Sequence, residues 1–164
     1  MSNNLPKLNR FSRILTNDKS QGASQSMLYA VGLKPRNINK PFVAVASMGY
    51  DINPCNSHLN HKSEIVKKFI NQKKRMNSFI FNTVGVSDGI SMGTDGMKWS
   101  LPSRELIADS IETISTAHYY DSLILIPGCD KNLPAAAMAL FRTNKPGFII
   151  YGGSMRPVKI NNNF

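Results

Sequence analysis

Short apolar segments alternate with amphipathic helical patterns along the chain after Lys40. The apolar segments are rich in β-branched and aromatic residues and have the length of strands. They are residues 41–48 (PFVAVASM), 78–86 (SFIFNTVGV), 123–127 (LILIP) and 147–153 (GFIIYGG). Strands that are apolar on both faces are typical of parallel sheets covered by helices. The order β-α-β-α-β-α-β therefore predicts an α/β fold, in which a parallel sheet has helices on both faces.

Helical patterns separate these strands and cover residues 57–75, 100–120 and 133–143. In the second pattern, Pro102 is placed in the first turn, where its missing N–H group does no harm. Ser100 is a candidate cap for the same helix. The face that we expect to be buried contains Leu106, Ile107, Ile111, Ile114 and Ala117.

The composition is that of a folded protein rather than a disordered or fibrous one. The chain has 164 residues, 41% of them hydrophobic, which is enough for one globular domain with a core. No apolar run approaches the roughly 18 residues of a membrane helix, and the first residues lack the apolar centre of a secretory signal. The opening contains Lys7, Arg10 and Arg13 but no acid before Asp18, as in organellar transit sequences. These features predict a soluble intracellular protein, mitochondrial or cytoplasmic, with no membrane partner.

The chain is strongly basic, with a net charge of +10 from 20 basic and 10 acidic residues, so nucleic acid must be considered as a partner. The densest basic run is residues 67–75, KKFINQKKR. Its apolar residues Val66, Phe69 and Ile70 continue a helical pattern from Leu59, which leaves the lysines on a solvated face. This pattern favours an ordinary surface helix, and we expect no nucleic-acid partner.

Chemically versatile residues follow each predicted strand. Cys55 follows the first strand, Asp88 the second, Cys129 to Lys131 the third, and Gly152 to Ser154 the fourth. In an open parallel sheet, ligands bind outside the carboxyl ends of the strands. The topology therefore predicts one candidate site along this edge of the sheet.

Cys129, Asp130 and Lys131 stand side by side before a predicted helix. The free N–H groups and dipole of a helix N-terminus stabilise a thiolate, so we expect Cys129 to ionise more easily than a free cysteine. Sulfur suits iron, whereas the carboxylate of Asp130 suits a hard cation such as magnesium, which suggests two metals close together. The alternative is a buried Cys129 that only packs, beside an Asp130 that caps the helix and pairs with Lys131.

Cys55 lies in a Pro- and Asn-rich turn, where a structural cysteine has little to pack against. His58, three residues later, suggests a Cys-x-x-His zinc pair, but no second pair is present to close such a site. A disulfide between Cys55 and Cys129, 74 positions apart, is disfavoured in an intracellular protein. The two cysteines are therefore predicted to be buried thiols or ligands.

Asp88 lies in a glycine-rich segment after the second strand. Glycines permit a ligand to approach the backbone closely, and Asp88 is expected to be exposed on the turn. A flexible loop that only caps a helix is the alternative. The glycines are Gly85, Gly89, Gly93 and Gly96.

Three stretches resemble the dihydroxy-acid dehydratase family, in the group that includes phosphogluconate and sugar-acid dehydratases. They are NPCNSHL (residues 53–59), FNTVGVSDGISMGTDGMKWSLPSRELIADS (81–110) and CDKNLPAAAMA (129–139), within a resemblance that covers roughly residues 10–158. The resemblance implies the N-terminal portion of a larger enzyme. Its implied organisation is an N-terminal extension at residues 1–21, a partial α/β dehydratase domain at 22–158 and a non-homologous tail at 159–164, with the family's C-terminal β-barrel absent.

The resemblance also implies cofactors. Cys55 and Cys129 would bind an iron–sulfur cluster, of the 2Fe–2S type in preference to 4Fe–4S. Asp88, Asp130 and a carbamylated Lys131 would bind magnesium, since carbamylation turns a cation that repels the metal into an anion that binds it.

The implied reaction removes water from 2,3-dihydroxy-3-methyl acids to give 2-oxo acids in isoleucine and valine biosynthesis, with a homodimer expected for the full-length family. A third cluster cysteine, a magnesium-binding glutamate and the catalytic serine come later in relatives, so we expect this chain to be inactive alone. Asp95 stands where relatives often carry Lys or His. A sugar-acid dehydratase and a non-catalytic truncated remnant are the alternatives.

Overall fold

The structure, a computed structural model, describes residues 7–155. The predicted tail at residues 159–164 and the start of the predicted N-terminal extension lie outside this range. The strands are β1 (Phe42–Ser47), β2 (Asn77–Asn82), β3 (Ser122–Ile126) and β4 (Gly147–Ile149). The helices are α1 (Arg13–Thr16), α2 (Gly22–Ala30), α3 (Leu59–Gln72), α4 (Asp88–Ser91), α5 (Ser103–Ala117) and α6 (Asn132–Thr143).

The four strands form one sheet in the order β2-β1-β3-β4, and every neighbouring pair is parallel. Val45, at the centre of β1, lies opposite Ile80 on one side and Ile124 on the other. The connection from β1 to β2 runs toward one edge of the sheet, and the connections from β2 to β3 and from β3 to β4 run toward the other edge. Connections between parallel strands are right-handed, so connections that run in opposite directions lie on opposite faces of the sheet. Therefore α3 covers one face, and α5 and α6 cover the other. The predicted α/β fold, with a parallel sheet and helices on both faces, is confirmed.

The core lies around β1, in which all six residues are buried. A strand can be apolar on both faces only where helices exclude water from both sides, which is the position that β1 occupies. The largest side chains with less than 2% exposure include several from the strands and from the inner faces of the helices. They are Phe42, Val45, Leu59, Ile107, Ile111, Leu123, Leu125 and Ile126.

The buried face of α5 differs in part from its prediction. Ile107 and Ile111 are buried, but Leu106 is exposed, as is Ala117. The buried residues of α5 include two small polar ones; they are Ser103, Ile107, Ala108, Ile111 and Ser115. The prediction for Leu106 and Ala117 is wrong.

Ser100 does not cap α5. The residue before the helix is Pro102, and no side chain caps the N-terminus. The hydroxyl of Ser100 instead donates to Asp88, in the candidate site.

Helix α3 buries Leu59, Ser63 and Ile70. Phe69, which the sequence pattern places with the apolar residues, is 58% exposed and has Lys73 over its ring, with the Nζ atom 5.0 Å from the centroid. No helix within residues 7–155 is long and apolar enough to cross a membrane.

The segment around α1 is attached to the start of the sheet by one buried carboxylate. Asp121 accepts hydrogen bonds from the backbone N–H groups of Phe11 at 2.7 Å and Ser12 at 3.1 Å through Oδ1. Its Oδ2 accepts from the N–H of Phe42 at 2.8 Å. Because Asp121 directly precedes β3, this contact joins the beginnings of β1 and β3 to the N-terminal segment.

Candidate active site

The candidate site lies where the chain leaves two neighbouring strands in opposite directions. Strands β1 and β3 are adjacent, and their following connections go to opposite sides of the sheet. Such a switch point opens a crevice at the carboxyl ends of the two strands. The loop that contains Cys55 follows β1, and the loop that contains Cys129 follows β3, so the fold places both cysteines at this crevice.

The loops approach each other backbone to backbone. A Cβ atom added to Gly128 would lie 2.8 Å from the carbonyl oxygen of Cys55. A Cβ atom added to Gly85, after β2, would lie 2.9 Å from the carbonyl oxygen of Met48. Because real Cβ atoms do not approach other atoms so closely, glycine is needed at both positions. Glycine therefore brings the three loops into contact, whereas the sequence predicts a close approach of a ligand at Gly85.

Three buried asparagines surround Cys129. Asn53 and Asn56 come from the loop after β1 and are 0% exposed, and Asn132, at the start of α6, is 1% exposed. The Nδ2 atom of Asn53 lies 3.3 Å from Sγ of Cys129 and 2.9 Å from the carbonyl oxygen of Gly85. The side-chain amide of Asn53 thus connects the thiol to the loop after β2.

Asn56 joins the other parts of this network. Its Nδ2 atom donates to the carbonyl oxygen of Met48 at 2.7 Å and to Oδ1 of Asn132 at 2.8 Å. The backbone N–H of Cys129 in turn lies 3.1 Å from Oδ1 of Asn132 and 3.3 Å from Oδ1 of Asn56. Both the backbone and the thiol of Cys129 are therefore held by amide side chains.

The Cys129 thiol does not ionise easily, and the expectation of a lowered pKa is wrong. Burial raises the pKa of Cys129 to about 11, and the hydrogen bond with Asn53 opposes that rise only in part. The neighbouring Cys55 thiol raises the pKa further. Two residues, Asp130 and Lys131, separate Cys129 from the beginning of α6, and burial outweighs the helix dipole. Both cysteines are half-buried and free, and they lie side by side as the topology predicts.

A buried lysine lies between two carboxylates. The Nζ atom of Lys131 contacts Oδ2 of Asp88 and lies 3.0 Å from Oδ1 of Asp130. The Lys131 side chain is 10% exposed, and burial lowers its pKa, whereas the charge of Cys55 acts in the opposite direction. Because Cys129, Asp130 and Lys131 are consecutive in the chain, the cysteine pair and the lysine cluster lie next to each other. The predicted convergence of these five residues is therefore observed.

Asp130 does not cap α6. Its Oδ1 accepts from the backbone N–H of Lys131 at 3.0 Å, and Lys131 itself precedes the helix without any side-chain cap. Its side chain is 80% exposed, so it faces solvent at the mouth of the site. The pairing of Asp130 with Lys131, which belongs to the alternative interpretation, is present.

His58 holds the loop after β4. Its Nε2 atom lies 2.9 Å from the carbonyl oxygen of Gly152, and Nζ of Lys62 donates to the same oxygen at 2.7 Å. His58 therefore contacts a backbone carbonyl instead of completing a metal pair with Cys55. Sequence reasoning missed this role, as it missed the asparagines. The signal for the asparagines was that Asn stands near both cysteines, in NPCN and CDKN.

The donor set fits the two implied metal groups in chemistry but is incomplete in number. A carbamate on Lys131 would join Asp88 and Asp130 in an all-oxygen set, which magnesium prefers. Burial acts toward the neutral amine of Lys131 that carbamylation needs, whereas the ion pairs with Asp88 and Asp130 act toward the charged form. The two thiols are the ligands that iron–sulfur clusters use. Within residues 7–155, however, no group of three or more His, Cys, Asp or Glu side chains could hold a metal ion.

Fold and site together define an open parallel α/β domain with thiol and carboxylate side chains at the carboxyl edge of its sheet. The family model described as dihydroxy-acid/6-phosphogluconate dehydratase N-terminal matches residues 40–164. The chain belongs to this family, which confirms the resemblance seen in the sequence.

Individual relatives agree with this assignment. A dihydroxy-acid dehydratase of Francisella tularensis subsp. novicida is 57% identical over 149 residues, which are 91% of this chain and 26% of the relative. Mitochondrial dihydroxy-acid dehydratases of Schizosaccharomyces pombe and Aspergillus fumigatus are each 53% identical over 150 residues, covering 92% of this chain and 25% of the relative. The chain thus spans about a quarter of the length of these curated relatives.

Proposed function

We propose that this chain supplies the N-terminal part of the active site of a dihydroxy-acid dehydratase. The reaction would remove water from 2,3-dihydroxy-3-methyl acids and form 2-oxo acids, as in isoleucine and valine biosynthesis. The observation that carries the proposal is the meeting of two thiols, two carboxylates and one buried lysine at the switch point of the sheet. Similarity to relatives named dihydroxy-acid dehydratase supports the substrate class.

In this proposal, Cys55 and Cys129 hold an iron–sulfur cluster, of the 2Fe–2S type, and Asp88, Asp130 and carbamylated Lys131 hold magnesium. When bound, these groups supply Lewis acids that polarise the hydroxyl and carboxylate oxygens of the substrate. By itself the chain is expected to retain little cluster, because two cysteines are fewer thiolates than such clusters normally have.

The chain's own side chains would prepare the site. Carbamylation consumes the neutral amine of Lys131 and releases one proton as the N–C bond to carbon dioxide forms. Burial of Lys131 favours that neutral amine, and Asp88 is positioned by the hydroxyl of Ser100. The amide of Asn53 would hold the Cys129 thiol through its contact with Sγ. These contacts orient ligand atoms before any substrate arrives.

The partners proposed for the complete enzyme are a small dihydroxy acid and a second copy of the enzyme. For the compartment, the Francisella relative carries no organelle in its name, while the fungal relatives are named mitochondrial. We therefore propose the mitochondrion or the cytoplasm.

The test is a chimera that joins residues 1–158 of this chain to the C-terminal part of the Francisella relative. Cys129→Ser should abolish the cluster absorbance and activity together, because it removes a soft ligand from iron. Asp130→Asn should keep the absorbance while turnover falls by about tenfold or more, with partial recovery at high magnesium.

Asp95→Asn is the matched control, since the Asp95 side chain is 92% exposed and forms an ion pair with Lys98. It should change neither the absorbance nor the turnover. The proposal fails if Cys129→Ser and Asp130→Asn both keep the cluster and respond alike to magnesium, or if Asp95→Asn loses as much activity as Asp130→Asn.

A further inference from the structure

A second concave site lies at the opposite edge of the sheet. A cavity of about 630 Å³ opens between residues 31–40, which precede β1, and residues 67–79, which run from α3 into β2. Strand β2 begins at Asn77, so this cavity lies at the amino ends of the strands, away from the cysteines. Its residues take no part in the proposed dehydratase site. The basic run of α3 contributes to its wall.

The floor of the cavity is built from polar groups that already have partners. The side-chain amide of Asn77 donates to the carbonyl oxygen of Asn37 at 2.8 Å. The backbone N–H of Asn77 donates to the carbonyl oxygen of Pro41 at 2.9 Å. The hydroxyl of Ser78 donates to the carbonyl oxygen of Lys67 at 3.1 Å. The Asn77 bonds join β2 to the segment before β1, and the Ser78 bond joins β2 to α3, so the cavity is a preformed feature.

The walls carry cations without acidic partners. The lining includes five basic residues and no Asp or Glu, and none of the five forms an ion pair within the described residues. Like charges around one concavity repel each other and raise the local positive potential. The five are Lys34, Arg36, Lys40, Lys67 and Lys74.

Local structure does not explain this charge cluster. Cations at a helix C-terminus are favoured by the dipole, which accounts for Lys74 just after α3. Lys34, Arg36 and Lys40 come from the other segment and have no such reason to converge. Among these three, and within residues 7–155, only Lys40 has a side-chain partner, the neutral Oδ1 of Asn37 at 2.7 Å. An anion in the cavity would remove the repulsion.

We propose that this cavity binds a nucleotide-sized organic phosphate. Its volume falls within the roughly 300–1,000 Å³ of small-molecule sites. Arg36 can bind a phosphate with two parallel N–H bonds, and the lysines add point charges. Val31, Met76 and Phe79 line the same cavity and can contact an apolar or ring-shaped part of the ligand.

The test is calorimetric titration of the 164-residue chain with ATP and, separately, with inorganic phosphate in about 150 mM KCl. ATP should bind with a dissociation constant below about 1 mM, and more tightly than phosphate, because only ATP reaches the apolar wall. The double variant Arg36→Gln/Lys67→Gln should weaken binding of ATP by about tenfold or more.

The matched control is Lys68→Gln/Lys73→Gln, which removes the same charge from the same surface but from residues outside the lining. This control should bind ATP with a dissociation constant within about twofold of that of the parent chain. Arg36→Gln alone, at an exposed position in the short 3-10 helix Pro35–Asn37, gives a second variant whose folding is not at risk, and it should also weaken binding. The inference is wrong if ATP does not bind below about 1 mM, if the control loses as much affinity, or if a single-stranded oligonucleotide displaces ATP at lower concentration.

Discussion

Replacing Asn56 with alanine tests whether the asparagine network holds the two site loops together. Asn56 is 0% exposed and connects the loop after β1 to the start of α6. The Asn56→Ala variant removes every side-chain bond of this residue while leaving the backbone free to keep its conformation. We expect a large loss of stability and a looser pair of cysteine loops.

The magnitude follows from the groups left without partners. The carbonyl oxygen of Met48 loses a 2.7 Å bond in a buried position, at a cost of about 1–3 kcal/mol. Oδ1 of Asn132 loses a 2.8 Å bond but keeps the N–H of Cys129, so its contribution is about 1 kcal/mol. The expected loss is roughly 3 kcal/mol, which lowers the melting temperature by roughly 6–12 °C.

Urea unfolding followed by circular dichroism measures this loss. Asn39→Ala is the control, because Asn39 is exposed and only its backbone carbonyl accepts a side-chain bond. It should stay within about 0.5 kcal/mol of the parent chain. A loss below about 1 kcal/mol for Asn56→Ala, or an equal loss for Asn39→Ala, would refute the idea that buried amides hold the loops.

Three further outcomes are expected. Asp121→Asn should destabilise the chain by about 2 kcal/mol, because an amide can replace only one of the two acceptor oxygens. It should also speed hydrogen exchange at the N–H groups of Phe11 and Ser12. The control Asp109→Asn, at an exposed position, should cost less than about 1 kcal/mol. Burial raises the pKa of Tyr120 from 10.0 to about 12, so its stabilising effect is complete below pH 10 and is lost as the pH rises from 10 toward 12. Denaturation at pH 9 and pH 11.5 should therefore show a pH-dependent difference between the parent and Tyr120→Phe, whereas Tyr151→Phe, at an exposed position, should show none. At pH 8, Cys129 should react with iodoacetamide about a hundredfold more slowly than a free cysteine, since its pKa is raised to about 11. Peptide mapping by mass spectrometry measures the rate of labelling. Rapid labelling of Cys129 would contradict the argument that burial raises its pKa.

The order of strands and helices could be predicted from the sequence because each pattern is local. The uninterrupted apolar run of β1 indicates a strand covered on both faces, and that is its position at the centre of the sheet. The convergence of Cys55 and Cys129 could also be predicted, since it needs only the rule that parallel strands end at one edge.

Properties that depend on which elements are neighbours could not be predicted. The pKa of Cys129 is set by how deeply the thiol is buried, and the depth of burial at the edge of the sheet has no local pattern in the sequence. For the same reason, the bond from Asn56 to Asn132 has no signature in sequence spacing. The exposed Phe69 shows that helical spacing locates a face only to within about one residue.

The adjacency of β1 and β3 also sets when the site can form during folding. Phe42 and Asp121, which meet at the beginnings of these strands, are 79 positions apart in the chain. Closing so long a segment costs entropy before its contacts contribute, so parallel pairing of this kind tends to be late. A chain growing from the ribosome can form β1, α3 and β2 while Cys55 still lies far from any second thiol. The two cysteines therefore become a pair only after β3 has been synthesised and has joined the sheet.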